Sequence, residues 1–177
     1  MAHRPLTGEP LPLDLVNTRW PSGDAMLDEF DEPGALAAWL REHDLPPGGA
    51  DGDPERYLAP LRAARTAIRR SLDDGVDDGV NAVLAHGTLR LSLEDGAPAE
   101  HPVLDDEAWR PAWLAARAHL DLIAAAPPDR LRRCAGDGCI LWFLDTSRNG
   151  RRRWCSMTAC GNRAKARAHY ARTTTRG

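Results

Sequence analysis

The chain's 177 residues, 42% of them apolar and 28% charged, are enough to build one domain core of ordinary size with a small appendage, and too apolar for a disordered tail. Mean hydropathy is -0.47, and no apolar run approaches the roughly 18 residues that a bilayer span needs, which rules out a transmembrane reading. The net charge of -3 conceals two parts of opposite sign: residues 1–129 carry -13 and residues 130–177 carry +10.

In chain order, the stretch Met1 to Trp20 is interrupted by Pro5, Glu9, Pro10, Pro12 and Asp14 and has no secretory pattern, so a cytoplasmic protein is expected. Leu36, Trp39 and Leu40 after Pro33 predict a short helix. Asp53-Pro54-Glu55 reads as the cap and first turn of a longer helix, with Leu58, Leu61, Ala64, Ile68 and Leu72 inward and Arg62, Arg65, Arg69 and Arg70 outward. Val76, Val80, Val83 and Leu84 predict a third helix, with Asp77 and Asp78 in its first turn. Thr88 to Glu94 alternates with period two and predicts a half-buried strand, with Val103 and Leu104 as its hairpin partner. Pro111, Trp113, Ala116, Leu120 and Ile123 give a fourth helix, which ends in the run Ala124 to Asp129 just before the charge reverses. The expectation is an α+β chain: a mostly helical N-terminal domain over 1–129 with a short antiparallel β element, then a small module over 130–177.

All four cysteines lie in that module, as Cys134-x4-Cys139 and Cys155-x4-Cys160 with fifteen residues between the pairs. Two thiol pairs around a hairpin-sized insert suit one tetrahedral Zn²⁺. The alternatives are two disulfides or four unlinked thiols, and disulfides are disfavoured in a reducing compartment. Four thiolates close the coordination shell, and residues 130–168 contain no Glu or His to serve as acid or base, so the expected single zinc is structural. Leu141 to Asp145 and Arg151 to Trp154 read as two strands around an Asn149-Gly150 turn. From Gly161 to Arg172 the chain reads as a helix, with Ala164, Ala168 and Ala171 on one stripe and His169 and Arg172 on another. Knuckle, hairpin and helix in that order make a treble clef.

The runs Trp142 to Asn149, Arg152 to Met157 and Cys160-Gly161-Asn162-Arg163-Ala164-Lys165 resemble the CGNR zinc finger, and Leu13-Asp14-Leu15-Val16-Asn17-Thr18 resembles the opening motif of the ABATE domain that precedes this finger in bacterial proteins. The resemblance implies a stress-induced transcription regulator with a sensor-like α+β domain followed by a treble-clef finger.

Arg148, Arg151, Arg152, Arg163, Lys165 and Arg167 are the candidate nucleic-acid contacts, since guanidinium groups on a rigid scaffold suit phosphates. One or two of Arg132, Arg133, Arg153 and Arg163 are expected instead to serve the zinc thiolates. DNA is favoured over RNA by the resemblance. Asp14, Asn17, Thr18 and Trp20 are either a polar edge of a ligand pocket or local backbone caps; a buried Asp14 would need partners, and Arg19 is near enough in sequence to be one. Three functions stay open: a DNA-binding regulator that senses a small-molecule or protein effector, an RNA-binding or ribosome-associated factor, and a protein adaptor. The chain shows no nucleophile elbow or phosphate-binding Gly-rich loop, so no enzyme is expected. Oligomeric state is not encoded in any spacing.

Overall fold

The computed structural model describes residues 4–45, 53–127 and 129–167. In chain order the elements are helix α1 (Leu11–Asn17), strands β1 (Arg19–Ser22) and β2 (Ala25–Asp28), helices α2 (Ala35–Glu42), α3 (Leu58–Asp74) and α4 (Asp78–Leu84), strands β3 (Gly87–Glu94) and β4 (Ala97–Leu104), helix α5 (Arg110–Ala125), and strands β5 (Leu131–Arg133) and β6 (Trp142–Leu144). Strands pair antiparallel in twos, β1 with β2, β3 with β4 and β5 with β6. The α+β class therefore stands. The chain divides into two compact units, one of Phe30–Asp121 and one that joins Met1–Glu29 to Leu122–Gly177.

In the Phe30–Asp121 unit, Leu36, Trp39 and Leu40 of α2, Leu61, Ala64 and Ile68 of α3, and Val80 and Val83 of α4 are buried as the helical period requires. Asp53 caps the turn before α3 by accepting from the Glu55 N–H at 2.9 Å. Three expectations are corrected. Arg65 points inward, 7% exposed, with its guanidinium 5.5 Å from the Phe30 ring, because an aromatic face offers a cation a partner that water would otherwise supply. Leu120 and Ile123 of α5 are exposed, and the buried stripe runs instead through Ala112, Trp113, Ala115, Ala116 and His119. Strand β3 is exposed rather than half-buried: Leu91 and Leu93 stand 71% and 77% open.

In the other unit, Leu6, Trp20, Leu141, Phe143 and the four cysteines form one core, with Leu27 and Trp154 against it. Residues from the chain's first thirty thus share a core with the cysteine module. The expected hairpin across Asn149-Gly150 is also corrected. Strand β6 pairs with β5, in the register Leu131–Leu144, Arg132–Phe143 and Arg133–Trp142, and residues 151–153 are not a strand. The knuckle Cys134–Cys139 fills the connection between β5 and β6. Ser156 caps the final helical segment, accepting from the Ala159 N–H at 3.2 Å; residues 162–167 are helical, and the expected continuation through Ala168, His169, Ala171 and Arg172 lies outside the described residues. The order is therefore strand, knuckle, strand and helix: the knuckle lies within the strand pair of the treble clef instead of before a separate hairpin.

Candidate metal centre and basic surface

The four sulfurs of Cys134, Cys139, Cys155 and Cys160 all lie within 4.8 Å of one another, and every one of these residues is buried. Zinc–sulfur bonds of about 2.3 Å at tetrahedral angles would set the sulfurs about 3.8 Å apart. The Cys139–Cys155 pair stands at 4.0 Å and the Cys155–Cys160 pair at 3.6 Å, so the donor set fits a single zinc ion. A disulfide needs sulfurs about 2.05 Å apart, and all four thiols are free.

Hydrogen-bond donors surround two of the four sulfurs. The N–H groups of Cys155 and Gly136 donate to the Cys134 sulfur at 3.2 and 3.4 Å, and the Arg163 guanidinium donates to the Cys160 sulfur at 3.3 Å. Hydrogen bonds from the Cys139 and then the Cys155 thiol hold Cys134 well below the usual thiol range, while sharing with Cys134 pushes Cys139 and Cys155 up. Gly136 is required by space: a Cβ there would come 2.8 Å from the Cys160 sulfur. Zinc held by four thiolates has no open position, so it cross-links the chain and leaves no site for activating water.

Beside the cysteines, β6 is braced on its outer edge by side chains. The Asn17 carboxamide donates to the Trp142 carbonyl at 2.8 Å and accepts from the Trp142 N–H at 3.0 Å. The next outward N–H, from Leu144, goes to the Glu9 carboxylate at 2.8 Å. Burial raises the Glu9 pKa, opposed by that N–H and by Arg152.

The loop after β6 is fastened from within. Asp145, 2% exposed, accepts from the Ser147 N–H and hydroxyl at 3.0 and 2.6 Å and from the Arg152 N–H at 2.9 Å. These bonds, the Ser147 hydroxyl foremost, lower its pKa. Arg130 spans the same loop by donating to the carbonyls of Asp145 and Ser147 at 3.0 and 2.7 Å. Gly150 sits at φ +57°, and a Cβ there would lie 2.7 Å from the Arg130 guanidinium carbon.

Family comparison agrees with this geometry. The model of the CGNR zinc finger matches residues 130–173, and the ABATE model, described as "Putative stress-induced transcription regulator", matches residues 9–133. The chain belongs to the ABATE family. No curated protein matches it.

The structure separates the basic residues of this ABATE protein into two sets. Arg148 and Arg151 on the fastened loop, and Lys165 on the last helical segment, are exposed and make no ion pair among the described residues. Arg167 is exposed but pairs with Asp137. Arg163 serves the Cys160 sulfur, as the sequence allowed. Arg152 is engaged within the protein: it donates to the carbonyls of Trp154 and Cys155 at 3.1 and 2.5 Å and to Glu9 at 3.2 Å, with its guanidinium 4.2 Å from the Phe143 ring centroid. A guanidinium with this many protein partners is a strut.

Of the four residues offered for a ligand pocket, Trp20 lines a cavity of about 320 Å³ with Cys139, Leu141 and Arg163. Asp14, Asn17 and Thr18 are fully buried and bonded to protein. Asp14 takes Arg4 at 2.6 Å instead of Arg19, Asn17 clamps Trp142, and the Thr18 hydroxyl donates to the Leu15 carbonyl at 2.7 Å. Sequence reading missed the roles of Glu9, Arg4, Asp145 and Arg130. For Asp145 the available signal was a carboxylate at the end of the apolar run Leu141 to Leu144, which requires partners when buried; nothing in the local sequence marks Arg4 or Arg130.

Among the described residues no helix is long and apolar enough to cross a membrane.

Proposed function

We propose that this protein is a cytoplasmic, non-catalytic transcription regulator whose zinc finger binds DNA and whose Phe30–Asp121 unit senses an effector. The observation that carries the DNA reading is the loop of residues 145–151. Asp145 and Arg130 hold it in shape, so Arg148 and Arg151 present their charges without first paying to order the backbone. Lys165 adds a free cation, and a net charge of +10 over residues 130–177 gives the attraction its sign. Four free, buried thiols suit a reducing cytoplasm.

The sensing reading rests on a cleft of about 550 Å³ between α3 and α4, floored by Ala67, Gly79 and Val83 and walled by Trp109, on which His86 stacks at 3.6 Å. That volume suits a small organic effector.

Selection of bound fragments from a random DNA duplex pool, with a structured RNA pool in parallel, tests the DNA reading. Zinc-loaded full-length protein is expected to enrich duplexes that share a motif. Enrichment of RNA alone, or of neither pool, would overturn it.

A further inference from the structure

The β3–β4 hairpin has two edges of different chemistry. Its two-residue turn, Asp95-Gly96, has positive φ at both positions, 52° and 81°, which makes Glu94–Ala97 the hydrogen-bonded closing pair. Parity then follows along the ladder. Ser92–Ala99, Arg90–His101 and Thr88–Val103 exchange main-chain bonds, whereas Leu93–Pro98, Leu91–Glu100 and Leu89–Pro102 turn their main-chain groups outward.

On the β4 edge, Pro98 and Pro102 have no N–H to offer, so that edge is blunted against further pairing. On the β3 edge the outward positions are Leu89, Leu91 and Leu93, whose N–H groups have no hydrogen-bond partner among the described residues. Leu91 and Leu93 are also the most exposed large apolar side chains in the described structure, at 71% and 77%. An open edge therefore coincides with an uncovered apolar face.

We propose that β3 is the edge on which a second copy of this chain docks, antiparallel about a twofold axis through Ser92, to give a continuous sheet in the order β4-β3-β3-β4. In that register Leu91 faces Leu93 of the second copy, and their outward N–H and C=O groups satisfy one another. The leucines of both copies gather on one face. On the other face Arg90, which has no ion pair among the described residues, stands opposite Glu94 of the second copy, and the twofold axis repeats the pair. A parallel alignment would instead set Arg90 beside Arg90 and Glu94 beside Glu94. The strand is thus complementary to itself in charge only when antiparallel.

Sedimentation equilibrium on the zinc-loaded full chain tests this. The wild type is expected to dimerise reversibly. Arg90→Glu or Glu94→Arg alone sets like charges across the axis and is expected to weaken the dimer about tenfold, and the double exchange to restore it to within about threefold. Leu91→Pro, which removes an outward N–H as Pro98 does on β4, is expected to abolish the dimer while circular dichroism stays that of a folded chain. A wild type still monomeric at about 100 µM, or a dimer indifferent to both single charge exchanges, would overturn the proposal.

Discussion

The Asn17 carboxamide meets the Trp142 main chain as a neighbouring strand would, donating to its carbonyl at 2.8 Å and accepting from its N–H at 3.0 Å. Strand β6 has β5 on one edge only, and on the other edge the fully buried Asn17 engages both outward main-chain groups of Trp142. The N-terminal motif residue thereby helps to build the finger, at a separation of 125 residues.

Replacing Asn17 with Ala is expected to cost about 1–3 kcal/mol, since it removes a fully buried carboxamide that bonds a main-chain donor and a main-chain acceptor. Asn17→Asp should not rescue, since it retains an acceptor for the N–H but confronts the carbonyl with another oxygen. Denaturant unfolding reads the loss, and hydrogen exchange at the Trp142 amide should accelerate. An unchanged exchange rate would show that β6 does not depend on this clamp.

Elemental analysis of reduced protein is expected to give one zinc per chain. Cys139→Ser or strong chelation should melt the core that holds Leu6, Trp20, Leu141 and Phe143, because a group this small depends on metal binding for its stability. Hydrogen exchange should then rise over residues 4–29 as well as 129–167, with protection kept in α3. Protection unchanged over 4–29 would contradict the shared core.

How far the sequence discloses the molecule depends on the range of each interaction. The cysteine spacing and the amphipathic helices are legible because a ligand set and a helical period are local patterns. Arg152 illustrates the opposite case. Composition cannot distinguish it from Arg151, yet one is tied to Glu9, Trp154 and Cys155 and the other faces water. The alternation in β3 misled for a related reason: period two identifies a strand, but it does not supply anything to cover the apolar face.

That distinction is testable. Arg152→Ala is expected to destabilise the finger by about 2–3 kcal/mol, and Arg152→Lys to recover little of it, since a single ammonium cannot reach two carbonyls and a carboxylate in a fork. Arg148→Ala and Arg151→Ala should leave the unfolding midpoint in place and weaken DNA binding. Asp137→Asn, which releases Arg167 from its ion pair, should strengthen binding at low salt. Thermal melts and titrations with a labelled duplex separate the two classes.

His119 gives the Phe30–Asp121 unit a pH dependence. It is 1% exposed, with Nε2 3.1 Å from the Ser71 hydroxyl, and burial lowers its pKa below the ordinary 6.5. The folded state therefore binds fewer protons than the unfolded chain. The stability linked to His119 is fully present above 6.5 and is lost as pH falls from there through the folded pKa, at a limiting slope of about 1.4 kcal/mol per pH unit. Unfolding at pH 7.5 and 5.5 should show this loss in the wild type and a smaller one in His119→Gln. Equal losses in the two would assign the pH dependence elsewhere.

The central claim, that the finger's free cations meet phosphates, is tested most directly by the salt dependence of duplex binding. For zinc-loaded full-length protein, contacts from the unpaired Arg148, Arg151 and Lys165 predict a slope of log affinity against log salt of about -2 to -3, flattened by about one unit in Arg148→Ala or Arg151→Ala. A slope near zero, or one unmoved by either substitution, would contradict the account.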